Sequence, residues 1–340
     1  MYEAFYKLSS KPFQLNPDPR FFFGSRTHKR AMSYLRYGLT QGEGIIVITG
    51  GVGTGKTTLV RSLFADLAKE NIVAAQLVTT NLKPEDTVRM VAASFGLAHE
   101  GTSKAQVLKN LETFFLARAR EGKRILLVVD EAQNLPVESL DELRMLANFQ
   151  ISGRALLQSF LLGQPQLRST LQHDNLEQVR QRIIAAYHLD PLDQGETKSY
   201  IEHRLRLVDW RQDPQFTEAA NAAIYDFTQG VPRRINTFCD RLLLFGYLEQ
   251  LHNIDASQVK EVSQELRQER PIHNTAEQAP VPEIEVEPAP TPPPKKDIGI
   301  THSMEHQQLD AMEARIAILE ERIDILERAF RRQLESGRRA

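Results

Sequence analysis

An α/β sandwich built on a parallel sheet, followed by a small all-α domain, is the fold class this sequence predicts. Three observations carry it. Short apolar runs alternate with stretches of helical period between residues 44 and 190, the alternation that builds a parallel sheet. After Pro191 only helical periodicity remains. Between the first apolar run and the first helix after it stands Gly50-Gly51-Val52-Gly53-Thr54-Gly55-Lys56-Thr57, which fits G-x-x-x-x-G-K-[ST] at every position.

Residues 1–43 form an N-terminal segment. The prolines of Lys11-Pro12-Phe13 and Asn16-Pro17-Asp18-Pro19-Arg20 hold the backbone extended, because each fixes its own φ and restricts its predecessor. Phe21-Phe22-Phe23 follows, then a helical stretch from Thr27 to Leu39. These aromatics either pack over a bound base or seal the edge of the core. Ile45 to Thr49 reads as the first buried strand, and Leu59, Leu63 and Leu67 give the period of the helix behind the glycine loop.

That strand, loop and helix make a phosphate site. Glycines let backbone N–H groups converge on phosphate oxygens, and the helix N-terminus adds partial positive charge. Lys56 reaches the β- and γ-phosphates, and the Thr57 hydroxyl serves Mg²⁺. Residues Gly50 to Thr57, with Thr58 beside them, are therefore the expected binders of ATP.

Residues 72–79 read as a second strand, followed by helices over Pro84–Phe95 and Ser103–Arg120. Arg124 to Val129 is the third strand, and it delivers Asp130 and Glu131. Paired with the phosphate loop, Asp130 suits Mg²⁺ held through water, and Glu131 suits deprotonation of an attacking water. Gln133-Asn134 and a helix over 136–149 come next. The fourth strand, 156–163, ends at Gln164, which either senses a γ-phosphate and positions the water or is an ordinary loop residue before Pro165. Residues 176–184 read as a helix leading into a fifth strand, 185–189. Arg180 and Arg182 on that helix either stabilise transition-state charge in a neighbouring subunit or are solvated.

The second domain, 191–268, carries helices over 194–208, 217–228, 232–251 and 256–267. Arg233, one residue after Pro232, stands in a first helical turn, where a cation opposes the helix dipole; that misfit points it at a phosphate. Residues 269–302 are rich in proline and acid and read as a disordered tether. In 303–336, Leu309, Ile316, Ile323 and Phe330 recur every seven residues, with Met312, Leu319 and Leu326 at the complementary position. This heptad seam predicts a coiled-coil helix that self-associates or binds a partner helix, with Arg315–Glu320 and Arg322–Glu327 as flanking pairs.

The chain has 340 residues and a net charge of −2, so no global field argues for nucleic acid or membrane. A single cysteine, Cys239, excludes a disulfide framework or a zinc cluster within one chain. The start lacks the pattern of a signal peptide and no apolar run is long enough to span a bilayer, which predicts a soluble cytoplasmic protein.

Assembled, these pieces resemble the AAA+ ATPases, and more closely the general secretion pathway protein A (ExeA-like) group. The carrying residues are Tyr2-Glu3-Ala4-Phe5-Tyr6, Lys11-Pro12-Phe13, Asn16-Pro17-Asp18-Pro19-Arg20, the phosphate loop, Val129-Asp130-Glu131-Ala132-Gln133-Asn134, Leu162-Gly163-Gln164-Pro165, Tyr200 to Leu205 and Gly230 to Asn236. The wording around Gln14-Leu15-Asn16 and Phe22-Phe23-Gly24-Ser25 is most similar to the exosortase (PEP-CTERM) and exopolysaccharide branch.

The resemblance implies a P-loop αβα sandwich with a helical lid. It implies that Gln164 is the sensor-1 residue, Arg182 (with Arg180 second) the arginine finger acting in trans, and Arg233 the sensor-2 arginine. It also implies a homo-oligomeric ring, hexameric in form, serving membrane-associated export proteins at the inner membrane. In that group a membrane-spanning segment and a peptidoglycan-binding part follow the ATPase. Here the tether and heptad helix stand in that place, so cell-wall binding is not expected. Two other readings share the core: a DNA-associated helper or loader of transposition type, and a nucleotide-gated assembly scaffold. The first needs a basic surface, but the ATPase core carries no dense Lys/Arg run, and Arg331-Arg332 and Arg338-Arg339 make only a short basic tail.

Overall fold

The computed structural model describes residues 1–269 apart from Pro17, 68–69 and 79–82. Residues 270–340, which hold the proline-rich tether and the heptad seam, lie outside the described residues. In chain order the elements are α1 (Tyr2–Phe5), α2 (Arg26–Gln41), β1 (Ile45–Gly50), α3 (Lys56–Leu67), β2 (Ile72–Val78), α4 (Pro84–Ser94), α5 (Lys104–Arg120) and β3 (Arg124–Asp130). Then come α6 (Val137–Leu146), β4 (Gln150–Ile151), β5 (Arg154–Ala155), β6 (Leu157–Gly163), α7 (Gln166–Leu171), α8 (Glu177–Arg180) and β7 (Ile183–Leu189). The helical part holds α9 (Gln194–Arg206), β8 (Gln215–Phe216), α10 (Glu218–Thr228), α11 (Pro232–Leu248), β9 (Asn253–Ile254) and α12 (Ala256–Glu269).

Five parallel strands run in the order β2-β3-β6-β1-β7. The three central strands are buried along nearly their whole length, with both their faces covered, while β2 and β7 at the edges are partly exposed. Alternation along β1 divides the core. Ile45 and Val47 face one layer with Leu111, Phe115 and Leu143, and Ile46 and Ile48 face the other with Leu35, Leu59 and Leu63. Each such fully buried side chain contributes about 1.5–3 kcal/mol by leaving water.

Local signals set the helix starts. Ser25, Ser103 and Thr217 accept hydrogen bonds from backbone N–H groups in the first turns of α2, α5 and α10, and Asp193 with Glu196 completes a capping box on α9. Gly42, with φ of 73°, ends α2 in the left-handed conformation. A third cluster joins α9–α12 to the N-terminal segment: Tyr2, Tyr6, Phe13 and Phe21 pack with Leu205, Phe238 and Leu242. Phe22 turns instead toward the sheet's second layer. The N-terminal segment is thus shared between the two parts of the molecule.

Two expectations are corrected. The helix read over 136–149 stops at Leu146, and the small hairpin β4–β5 follows, turning at Ser152 (φ 51°) and Gly153 (φ 77°). The Ser-Gly pair favours that two-residue turn over a further helical turn. The last strand also starts earlier than read, because Ile183 pairs with Ile45. Arg182 therefore stands in the turn before β7 rather than on a helix, and Arg180 is the last residue of the short α8.

Candidate functional site

The C-terminal ends of β1, β3 and β6 lie side by side, with Thr49 opposite Gly163 and Val129 opposite Leu161. Residues that follow these strand tips meet at one edge of the sheet, where open α/β sheets hold their ligands. Gly53 and Gly55 adopt φ of 80° and 99°, a region costly for any residue bearing a Cβ. The Thr54 hydroxyl bonds Gly51 O at 2.9 Å and closes the loop. Lys56 folds back over it, its Nζ donating to Gly50 O at 2.9 Å and Gly51 O at 3.0 Å. Burial holds the Lys56 ammonium below its usual pKa, and the nearby charges of Glu131 and Asp130 oppose that shift.

Thr57 donates its hydroxyl to Asp130 Oδ2 at 2.9 Å, and Gln76 of β2 approaches the same oxygen at 3.4 Å. Asp130 is buried and also caps the Glu131 N–H through Oδ1 at 3.0 Å. Glu131 itself has φ of 54° and ψ of 36°. Its carboxylate receives Gln133 Nε2 at 2.7 Å and Gln164 Nε2 at 3.4 Å on the same oxygen, Oε2. Gln133 closes the circuit, because its Oε1 accepts the Gln164 backbone N–H at 2.8 Å. Gly163 lets that side chain in: a Cβ there would stand 3.0 Å from Gln133 Oε1.

From the helical part, Arg233 N–H donates to Gly53 O at 3.2 Å, and a Cβ on Gly53 would lie 2.6 Å from the Arg233 Cβ. Lid and loop are in direct contact at that point. Beside them lies a cavity of about 370 Å³ lined by Val52, Gly53, Gly55, Lys56, Thr57, Thr58, Glu131 and Arg233. Gln14, Asn16, Phe21–Phe23, His28, Tyr200, Arg204 and Asn236 also line it. The size and the mix of apolar walls with a few polar groups suit a nucleotide-sized ligand.

The structure thus brings together the loop 50–58, Asp130, Glu131, Gln164 and Arg233. It does not bring Arg180 or Arg182 to them. Arg180 donates to Leu171 O and His173 O at 3.0 and 2.7 Å, and Arg182 to Ala147 O at 3.2 Å and to the Asn148 side chain. Among the described residues no three His, Cys, Asp or Glu side chains gather as a metal cage. The paired oxygens of Thr57 and Asp130 nonetheless fit Mg²⁺, a hard cation that takes one or two protein oxygens together with phosphate and water.

Three contributors escape sequence reasoning. Gln133 holds the Glu131 carboxylate, and nothing in its spacing from the acids announces that. Arg204 lies on the cavity wall with 6 % of its surface exposed, donating to Pro12 O and Gln14 O at 3.0 and 3.1 Å and lying over the Phe21 and Tyr200 rings. His28 touches the phosphate loop itself. The helical periods of 27–39 and 194–208 placed the last two on helices without marking them as polar contacts.

Residues 39–171 match the family profile described as an AAA domain. General secretion pathway protein A of Aeromonas hydrophila is 36% identical over 255 residues, 75% of this chain and 46% of that protein. An uncharacterized HTH-type transcriptional regulator of Methanocaldococcus jannaschii is 23% identical over 235 residues, 66% of this chain and 57% of that one. The chain therefore spans about half the length of these curated relatives. Among solved structures, the ORC2 protein of Aeropyrum pernix aligns with a TM-score of 0.58 at 19% identity, over 76% of this chain and 72% of that one. The Cdc6p structure from Pyrobaculum aerophilum gives 0.57 at 16% (73% and 71%), and the RuvB branch migration motor of Thermotoga maritima gives 0.50 at 20% (72% and 70%). At these identities the structural likeness establishes the fold.

Proposed function

We propose, for a chain whose described residues are an AAA+ P-loop module of the general secretion pathway protein A type, that it hydrolyses ATP as the motor or switch of a cell-envelope export system. One observation carries the reading. Thr57, Glu131 and Arg233 line a single cavity, with Asp130 bonded to Thr57 and Gln164 to Glu131 beside it.

In this account the phosphates settle on the N–H groups of residues 51–57, and Lys56 leaves the carbonyls of Gly50 and Gly51 to reach them. Thr57 and Asp130 would hold Mg²⁺, which would neutralise phosphate charge when bound. Glu131 takes the proton of the attacking water, Gln164 orients that water, and Arg233 registers the phosphate from the lid. The cavity wall made by Phe21–Phe23, Tyr200 and Asn236 receives the base. Arg182, or Arg180, serves the site of a neighbouring copy in a ring of six. Lid movement on turnover passes to a membrane-associated partner bound through 303–336, and the chain is cytoplasmic, held at the inner membrane by that partner. The kind of system is an exosortase or exopolysaccharide one, on the likeness of residues 14–16 and 22–25. Among the described residues no helix is long and apolar enough to cross a membrane.

A second reading, a DNA-associated ATPase, is favoured by the fold neighbours, which include an Aeropyrum pernix ORC1 protein in complex with DNA. Steady-state ATP hydrolysis by the purified full chain, with and without double-stranded DNA at fixed salt, separates the two. A rate unmoved by DNA supports the envelope reading, and strong stimulation replaces it with the second.

A further inference from the structure

We propose that His28 is a positioning residue of the phosphate site: its ring holds the Thr54 carbonyl, so that this peptide turns its Gly55 N–H rather than its oxygen to a phosphate. His28 stands at the third position of α2, with 5 % of its surface exposed. Its Nε2 lies 3.1 Å from Thr54 O and its Nδ1 lies 2.7 Å from Ser25 Oγ. A carbonyl oxygen only accepts, so the proton sits on Nε2 and Nδ1 is the acceptor. Ser25 Oγ then donates to Nδ1 while accepting the His28 backbone N–H at 3.2 Å. One hydroxyl thus caps the helix and fixes the ring's orientation. Phe22 closes the remaining side, its ring edge-on to the imidazole at 5.8 Å.

The consequence for the loop follows from peptide geometry. In a planar trans peptide the C=O and N–H point in opposite directions. Pulling Thr54 O toward His28 therefore turns the N–H of Gly55 away from His28. A carbonyl left to swing into an anion cradle would repel the phosphate and remove one donor from it. The ring, which also lines the cavity, packs closely on the loop: a Cβ at Gly55 would lie 2.7 Å from His28 Nε2. Gly55 is thus demanded twice, by its φ of 99° and by this ring. Burial of His28 keeps the imidazole pKa below its usual value, in keeping with the neutral tautomer the contacts require.

This inference rests on the reading of the 50–57 loop as the phosphate site. The test uses the full chain and titrates Mg-ADP by calorimetry against wild type, His28→Ala, His28→Gln and Lys56→Ala. A glutamine amide reaches as far as Nε2 and can restore the donor. His28→Ala is expected to raise the Kd for ADP by about tenfold, the loss of one hydrogen bond that shapes a charged site, and His28→Gln to recover most of it. In turnover, KM for ATP should rise with Kd and kcat should fall by a smaller factor. A folded His28→Ala protein that binds ADP within twofold of wild type overturns the inference, as does a glutamine variant no better than alanine. Wild-type binding by Lys56→Ala would instead remove the premise. Should His28→Ala fail to fold, ¹⁵N spectra of histidine-labelled wild type decide: a proton on Nε2 supports the assignment and one on Nδ1 contradicts it.

Discussion

Removing the Gln133 amide tests how the catalytic acid is held. In Gln133→Ala the Glu131 carboxylate loses its 2.7 Å donor, and the Gln164 N–H loses the acceptor at 2.8 Å. The first bond involves an ionised carboxylate, worth about 1.5–3 kcal/mol, and the second is an ordinary one of about 0.5–1.5 kcal/mol. Only the first bears directly on the base. Glu131 keeps its backbone φ of 54°, and its contact to Gln164, at 3.4 Å, is longer than the bond removed. If the first bond's worth appears in the barrier, kcat should fall by about 10- to 100-fold, since about 1.4 kcal/mol is a factor of ten. ATP affinity should move by less than about twofold, because Gln133 is not part of the cavity wall. Steady-state hydrolysis gives kcat, and calorimetry with a non-hydrolysable analogue gives Kd. A double-mutant cycle with Gln164→Ala adds a check: the two losses should fall short of additivity, because both amides reach the same oxygen. A Gln133→Ala enzyme turning over within twofold of wild type would refute the reasoning.

Other expectations concern stability and assembly. Arg204→Ala removes two hydrogen bonds to the 12–14 backbone and two ring contacts from a buried site, and should destabilise the protein by about 2–4 kcal/mol, read as a lower Tm in calorimetry. His28 and His203 both have pKa values held down by burial. Between those folded values and the unfolded value near 6.5 the unfolded chain binds more protons, so stability rises with pH there. Their contribution is complete above about pH 6.5 and is lost as acid carries the pH toward the folded values, so Tm should fall from pH 7 to 5.5, and less so in His28→Gln. Mixing inactive Glu131→Gln subunits with inactive Arg182→Ala subunits should restore part of the ATPase activity if Arg182 acts across a subunit boundary. Arg180→Ala in its place identifies that residue if it alone complements.

Much of this site is legible in the chain because its parts are local. A glycine loop between an apolar run and a helix, and acids at the end of another apolar run, need only strand direction to be brought together. Lys56, Thr57, Asp130 and Glu131 meet for that reason. Gln164 and Arg233 stand out in the sequence by the ends of their elements, a strand tip and a helix start. The contacts that the sequence hides are those made across the fold. Gln133 reaches the tip of β6 only because Gly163 leaves room, and His28 meets Thr54 only because α2 packs against the loop. Arg204 looks like a solvated helix residue until the N-terminal segment folds over it. The error at Arg182 had a different origin. Residues 176–184 carry a helical apolar period, but pairing of Ile183 with Ile45 extends the strand back through two β-branched residues.

The most direct test of the account is a single-turnover comparison of wild type and Glu131→Gln at saturating Mg-ATP, with bound nucleotide measured in parallel. If Glu131 is the base, the glutamine enzyme should retain ATP binding and turn over at least about a hundredfold more slowly. Hydrolysis by Glu131→Gln within a few-fold of wild type, with ATP still bound, would contradict it and move the catalytic role away from the tip of β3.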